Sequence, residues 1–430
     1  MLKKLSMILF AAAVFLCGNP APAQSPTADP EKWREDLRYL SDELPRRHIN
    51  LFHTLSPADF YNAVNELDSM IPSLADHAII VRMARLLAMV KESHTYLDWA
   101  RPTRTPPFGQ LPLRFLVFKD GLYVTQAAKS NFKTNPRSNY YTRAIGMRVA
   151  RIGDVEIESA MQAIATIIST ENTENIENSI PRHAHRPEIL QALGLIQNLD
   201  HAPITLEDAE GNRFELNLIP FPSGVIPQFS SSPYPSRDPI QLYRTRPSSQ
   251  FYWYEYLPAA KTVYFQYNVC VEMATLPFAT FLSDLLNFID THEVEKIAVD
   301  LRRNPGGNSG ILVPFINAIR ARPSLNQYGK LFVLTDNGTN SSAMLNAINF
   351  RQLGTNPILM GEPTGGKPNS YGEIKSFPLP NSGLNVWYST KFFQMAPGDP
   401  PSLSPDILIE LTGMDYFAGR DPVLEAVLAY

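Results

Sequence analysis

Apolar residues along this chain recur with two periods. Spacings of three and four run from Trp33 to His48, from Pro57 to Met70 and from Ala78 to Val90, which predicts a layer of amphipathic helices near the start. Residues 112–128 and 144–157 are patterned as strands, and a helical stretch follows to about Ile168. Pro203 to Pro220 predicts a hairpin, with Ile204 and Leu206 before a turn at Glu210-Gly211-Asn212 and Phe214, Leu216 and Leu218 alternating after it. From Phe221 to Gln250 prolines and serines crowd together, a composition that holds no regular element and reads as a linker or strap. Beyond it, Thr262–Asn268 is strand-like. Phe278, Phe281, Leu282, Leu285 and Ile289 then mark the inward face of a helix.

The next segment repeats one plan three times. Ile297 to Leu301 runs into Asn304-Pro305-Gly306-Gly307, and Ile311, Leu312, Phe315, Ile316 and Ile319 follow at helical spacing. Leu331–Leu334 leads through Asp336-Asn337-Gly338 to Ser341-Ser342-Ala343, with Leu345, Ile348 and Leu353 continuing as a helix face. Pro357–Met360 runs into Gly361-Glu362-Pro363-Thr364-Gly365-Gly366-Lys367. The tail closes with paired strands around Asn381-Ser382-Gly383 and a helix opened by Asp421-Pro422. Strands alternating with helices after residue 260 predict an α/β core.

Three strand-to-loop junctions in tandem bring a glycine turn, a hydroxyl and a lysine to one sheet edge. Acyl transfer needs those parts: a nucleophile, a group that takes its proton, and donors for the developing oxyanion. Ser342 heads the helix, where free amides such as that of Ala343 lie close, and Gly306 and Gly307 would supply the opposing donors. His94, in Lys91-Glu92-Ser93-His94-Thr95, stands apart from the other histidines because it falls between a helix and an apparent strand.

The runs Asp300-Leu301-Arg302-Arg303-Asn304-Pro305-Gly306-Gly307, Ser342-Ala343, Gly361 to Lys367 and Ser404-Pro405-Asp406-Ile407 resemble the core of the tail-specific (carboxy-terminal processing) peptidases, whose clan includes the tricorn protease core. The resemblance covers roughly residues 260–410 and departs at Met344-Leu345, where the family carries an acidic residue. It implies a crotonase- or ClpP-like superhelical core and an exported serine endopeptidase acting on polypeptides, with Ser342 as nucleophile. Lys367 completes the contiguous motif and is the preferred base. The other implied base is His94, supported by Ser93 and a carboxylate, Asp399 or Glu373. Gly146 to Val155 is similar to half of a PDZ domain. A catalytically silent module of the same fold, binding an apolar ligand or peptide, is the alternative; the retained Ser342 and Lys367 argue against it.

Composition narrows the picture. Lys3 and Lys4 before the apolar run Met7–Leu16, with Ala21-Pro22-Ala23 behind it, predict a cleaved signal peptide over residues 1–23 and a periplasmic or extracellular protein. Lipid anchoring at Cys17 is not expected, because Leu16 stands where a small residue would be needed. Subtracting those two lysines from 38 leaves 36 Lys+Arg against 42 Asp+Glu with no dense basic run, which argues against a nucleic-acid partner. Beyond the signal, no stretch is apolar enough to span a membrane. His183 and His185 lack spaced acidic partners, so neither a metal nor another cofactor is expected. The organisation expected is a helical region over 24–100, a β-rich insertion over 101–220, a strap over 221–258 and the catalytic core over 259–430.

Overall fold

The computed structural model describes residues 26–99, 108–129, 141–225, 227–230 and 249–430, so the expected signal peptide and half of the strap lie outside the described residues. The chain opens with helices Pro30–Arg47, Pro57–Met70 and Asp76–Ala88, close to the periodicity's bounds. Ser56 caps the second helix by accepting the Asp59 amide. A short strand β1, Tyr96–Asp98, follows. Strands β2 (Leu113–Phe118), β3 (Gly121–Ala127), β4 (Arg148–Ile152), β5 (Val155–Glu156), β6 (Ala202–Glu207) and β7 (Arg213–Leu218) form one antiparallel sheet. Its own apolar core includes helices Ile157–Ala165 and Thr173–Ala184 through Ala160, Ile164 and Ile180.

The second six-stranded sheet runs β15-β12-β11-β10-β9-β8, from strands Ile407–Leu408, Ile358–Gly361, Leu331–Thr335, Lys296–Asp300, Thr262–Tyr267 and Tyr252–Leu257. Neighbours from β15 to β9 pair in parallel, and β8 joins antiparallel at the edge. Tyr252–Leu257 falls inside the expected strap. Its aromatic residues favour an extended, half-buried strand, and that preference decides the structure once the prolines end. The sheet is buried on both faces, and period-2 alternation splits its side chains between two cores. Val263, Phe265, Val299, Val333 and Leu359 meet helices Phe278–Thr291, Val313–Arg320 and Ser342–Gln352. Tyr264, Ala298, Phe332, Leu334 and Met360 meet the closing helix Pro422–Ala429. After β12 the chain leaves this sheet for a long hairpin, β13 (Asn369–Pro378) and β14 (Asn385–Gln394). β14 pairs with β1, and the hairpin shares a core with the first three helices.

Parallel strands β10, β11 and β12 all end at the same edge, so the three loops that follow them converge, as ligand-binding loops of open parallel sheets do. One buried charge cluster locks the first of these loops to the end of the chain. The Arg302 guanidinium donates to Asp421 at 2.8 and 2.7 Å and through Nε to Asp300 at 3.0 Å, with Tyr264 donating to Asp300 at 2.6 Å. Asp421 also caps the last helix by accepting the Leu424 amide. Removing the guanidinium strands two buried carboxylates, which typically costs about 3–5 kcal/mol. Arg302→Met is therefore expected to lower the unfolding free energy by about that amount in urea titration. A loss below about 1 kcal/mol would mean that the cluster does not hold the loop.

Candidate active site

The β10 loop and the β11 loop stack against each other. Gly306 and Gly307 sit at φ +105° and +135°, a region that favours glycine. A Cβ on Gly306 would lie 2.7 Å from the Ser341 Cβ and 2.9 Å from the Ser342 nitrogen, so only glycine allows this approach. Asn304, fully buried, holds the turn: its side chain donates to the Tyr267 carbonyl at 2.6 Å and accepts the Gly306 amide at 2.9 Å. Its carbonyl accepts the Asn340 amide at 3.0 Å, which fixes the second loop on the first.

Ser341 is the last residue before the helix Ser342–Gln352 and takes φ 49°, ψ −126°. That conformation is strained for a residue with a side chain, and such strain concentrates at functional sites. Strand, strained serine, helix is the backbone plan of a nucleophile elbow. Ser341 Oγ lies 3.2 Å from His94 Nε2. Ser342, expected as the nucleophile, begins the helix with its hydroxyl turned the other way, donating to the Gly307 carbonyl at 2.6 Å. Among the described residues the amides of Gly307 and Ser342 have no acceptor, whereas the other two expected oxyanion donors are occupied. The Gly306 amide goes to Asn304, and the Ala343 amide to the Asn340 carbonyl.

His94 is held from three sides. Its amide donates to Glu92 Oε1 at 2.9 Å, and its Nδ1 lies 3.2 Å from Ser93 Oγ. Ser93 Oγ in turn donates to Glu171 Oε1 at 3.2 Å. Glu92 is fully buried and ties distant segments together. It accepts Ser389 Oγ from β14 at 2.6 Å, His48 Nε2 at 2.9 Å and the Thr95 hydroxyl. Because His48 Nδ1 accepts the Asn50 amide, Nε2 is the nitrogen that carries its proton. Burial by itself would raise the Glu92 pKa, but the hydrogen bonds from His48, Ser389 and Thr95 prevail and hold it below the usual value.

Glu171 shows the opposite balance. Burial raises its pKa, the neighbouring Glu92 adds to that, and His94 only partly offsets it. Its Oε2 is buried with no hydrogen-bond partner among the described residues. Glu171 precedes Asn172, which caps the helix Thr173–Ala184 and donates to the Pro401 carbonyl at 2.9 Å and the Thr364 carbonyl at 3.4 Å. The inserted sheet's helices are thus pinned on the core next to the histidine. Glu92, His94 and Glu171 bring potential ligand atoms within 4.8 Å of one another. Both Glu92 oxygens already accept hydrogen bonds and His94 Nδ1 faces Ser93, so this cluster is spent on hydrogen bonds rather than arranged for a cation.

The remaining sequence candidates lie elsewhere. Lys367 Nζ donates to Asp399 at 2.7 Å, so two candidates from rival arrangements satisfy each other in a partly exposed ion pair. Neither lines the cavity that holds Ser341 and His94. Glu373 does line it, but its carboxylate pairs with Lys391 at 3.3 Å. The cavity measures about 1250 Å³ and is walled by the core loops, the helix Thr173–Ala184 and the β13–β14 hairpin. Sequence reasoning did not single out Glu171. It lies in a polar turn without periodicity, and only the fold brings it beside Ser93.

In three dimensions the chain matches mature CPAF complexed with lactacystin over 94% of this chain and 98% of that one, with a TM-score of 0.61 at 12% sequence identity. Mature CPAF on its own aligns equally, TM-score 0.61 and 12% identity over 94% and 97% of the two chains. The likeness is one of fold, and the α/β fold class expected from the sequence is the one observed. No protein-family model matches the chain, and no curated protein matches its sequence.

The Glu171 environment has a consequence for stability. A carboxyl whose pKa is raised by folding binds its proton more tightly folded than unfolded. Its contribution is favourable below the unfolded value of about 4.3 and is lost as pH rises through the raised value. Glu171→Gln removes that dependence. The variant is expected to match the parent near pH 4 and to be the more stable of the two at pH 8, measured by urea unfolding at both. A stability difference independent of pH would contradict the burial cost.

Proposed function

We propose that this protein is an exported serine peptidase in which Ser341 is the nucleophile and His94 its base. The observation that carries the reading is the 3.2 Å contact between Ser341 Oγ and His94 Nε2 at a strained strand-to-helix turn, facing a large cavity. Polypeptide as the substrate class is supported by the resemblance of the core motifs to the tail-specific peptidases. Export follows from the amino-terminal Lys3-Lys4 and apolar run.

In the first half-reaction Ser341 Oγ adds to the peptide carbonyl carbon as its proton passes to His94 Nε2. The amides of Ser342 and Gly307 donate to the oxyanion that forms. Collapse of this adduct breaks the C–N bond, His94 returns the proton to the leaving amine, and an ester on Ser341 remains. Water then attacks the ester by the same route, leaving a carboxylate product and the free serine. Ser93 accepts from His94 Nδ1–H and relays to Glu171, so the ring is oriented with Nε2 free to receive the proton. Lys367 has no step in this scheme and is read as a structural ion pair with Asp399.

The test is turnover of an unfolded protein substrate by single variants. Ser341→Ala and His94→Ala are each expected to lower kcat by about a thousandfold or more, and Lys367→Met by less than about tenfold. Ser342→Ala loses only the bond to the Gly307 carbonyl and is expected to cost far less than Ser341→Ala. Loss of activity in Lys367→Met with activity kept in His94→Ala would reject the histidine as base.

A further inference from the structure

The wall of the cavity facing Ser341 carries more positive charge than its packing explains. Arg114, Arg182, Arg186 and Arg303 all line it, together with His183 and His185. Burial pushes His183 down to about 4 and also lowers His185, so neither ring adds charge near neutral pH. Arg114 stacks its guanidinium 4.1 Å from the Phe229 ring centre and donates to the Leu113 carbonyl at 3.3 Å. Arg186 donates to the Gly109 carbonyl at 3.0 Å. These two are occupied in packing the insertion.

Arg182 and Arg303 are not. Among the described residues neither guanidinium has a hydrogen-bond or ion-pair partner, and both residues are exposed toward the cavity. Arg182 belongs to the last turn of the helix Thr173–Ala184, where a cation complements the helix dipole. That does not account for Arg303, which comes from a different segment and meets the same like charge. Arg303 takes φ 61°, uncommon for a residue with a side chain, and is held there by its amide donating to Asp336 at 2.8 Å. That amide, the Gly338 amide at 2.9 Å and Thr339 Oγ1 at 3.3 Å all converge on Asp336 Oδ1, and among the described residues the Arg303 guanidinium makes no ion pair with this carboxylate. Loss of water and the charge of Arg303 together lower the Arg182 pKa, so the free protein tolerates an unfavourable pair. Two forked donors from different segments lining one cavity suit a planar oxyanion that accepts from both.

We propose that Arg182 and Arg303 together form a subsite for a carboxylate carried by the peptide substrate, three residues in sequence from the Gly306 turn of the reactive centre. The inference rests on the serine-peptidase reading for its substrate, not for its charge. The carboxylate comes from an acidic side chain or from the chain's own C-terminus, and the two sources share this chemistry.

The experiment uses the mature chain and two matched pairs of fluorogenic peptides around one scissile bond. One pair differs only by Glu against Gln near that bond, the other by a free against an amidated C-terminus. The parent is expected to favour the carboxylate in one pair by about tenfold in kcat/KM, and the pair that responds identifies the source. In Arg182→Gln/Arg303→Gln the ratio is expected to fall to near one, and in Arg182→Lys/Arg303→Lys to return in part. Parent ratios near one in both pairs, or a preference that survives the double glutamine variant, would overturn the subsite. Binding of the same peptides to Ser341→Ala, read by fluorescence anisotropy, separates the two claims. If the parent cleaves none of them while Ser341→Ala still binds the carboxylate peptides more tightly, and loses that on Arg→Gln, the peptidase reading fails and the subsite stands. If binding shows no such preference, the subsite fails whatever the turnover.

Discussion

The close approach of two loops, with Gly306 against Ser341, is the constraint on which the site depends. Without a Cβ at 306 the turn after β10 can lie on the residue that precedes the β11 helix, and the Asn304 carbonyl can accept the Asn340 amide. That contact holds Ser341 in a backbone conformation it would not adopt alone. It also leaves the Gly307 and Ser342 amides without acceptors next to the serine hydroxyl. Unpaired backbone donors are costly where they are buried, and here they flank an open cavity that a substrate oxygen could enter. The parallel sheet supplies the rigidity, since its strands end together beneath both loops.

The histidine arrives from the other end of the sequence and is held by a different device. Glu92 binds His48, Thr95, Ser389 and the His94 amide at once, so the first helices, the segment before β1 and the β13–β14 hairpin meet at one buried carboxylate. Glu171 reaches His94 through Ser93 only because Asn172 fastens the insertion to the core. Serine, histidine and carboxylate therefore come from three separately packed parts of the chain. Their alignment reports on how those parts dock.

Much of this architecture was legible in the sequence. The three strand-to-loop junctions after residue 296, the amphipathic helix from Phe278 and the hairpin near 203–220 follow from apolar spacing and turn residues. The convergence of the loops follows from parallel pairing. What was not legible is conformational or depends on contacts distant in sequence. Nothing in Ser341-Ser342 tells which residue takes a positive φ and which turns its hydroxyl into the loop below. Lys367 and Asp399 belong to rival arrangements in the sequence and only the fold shows them paired with each other, and Glu171 carries no local pattern at all. The sequence places His94 near a helix end, but its contact with Ser341 spans 247 positions.

The central claim is that Ser341, activated by His94, is the reacting hydroxyl. It is tested most directly by treating the folded protein with a fluorophosphonate, which phosphonylates a serine only where a base and oxyanion donors assist. Mass spectrometry of the digested protein then locates the adduct. One adduct on Ser341, absent from heat-unfolded protein, is the result predicted. An adduct on Ser342, or labelling of Ser341 that persists undiminished in His94→Ala, would contradict the account.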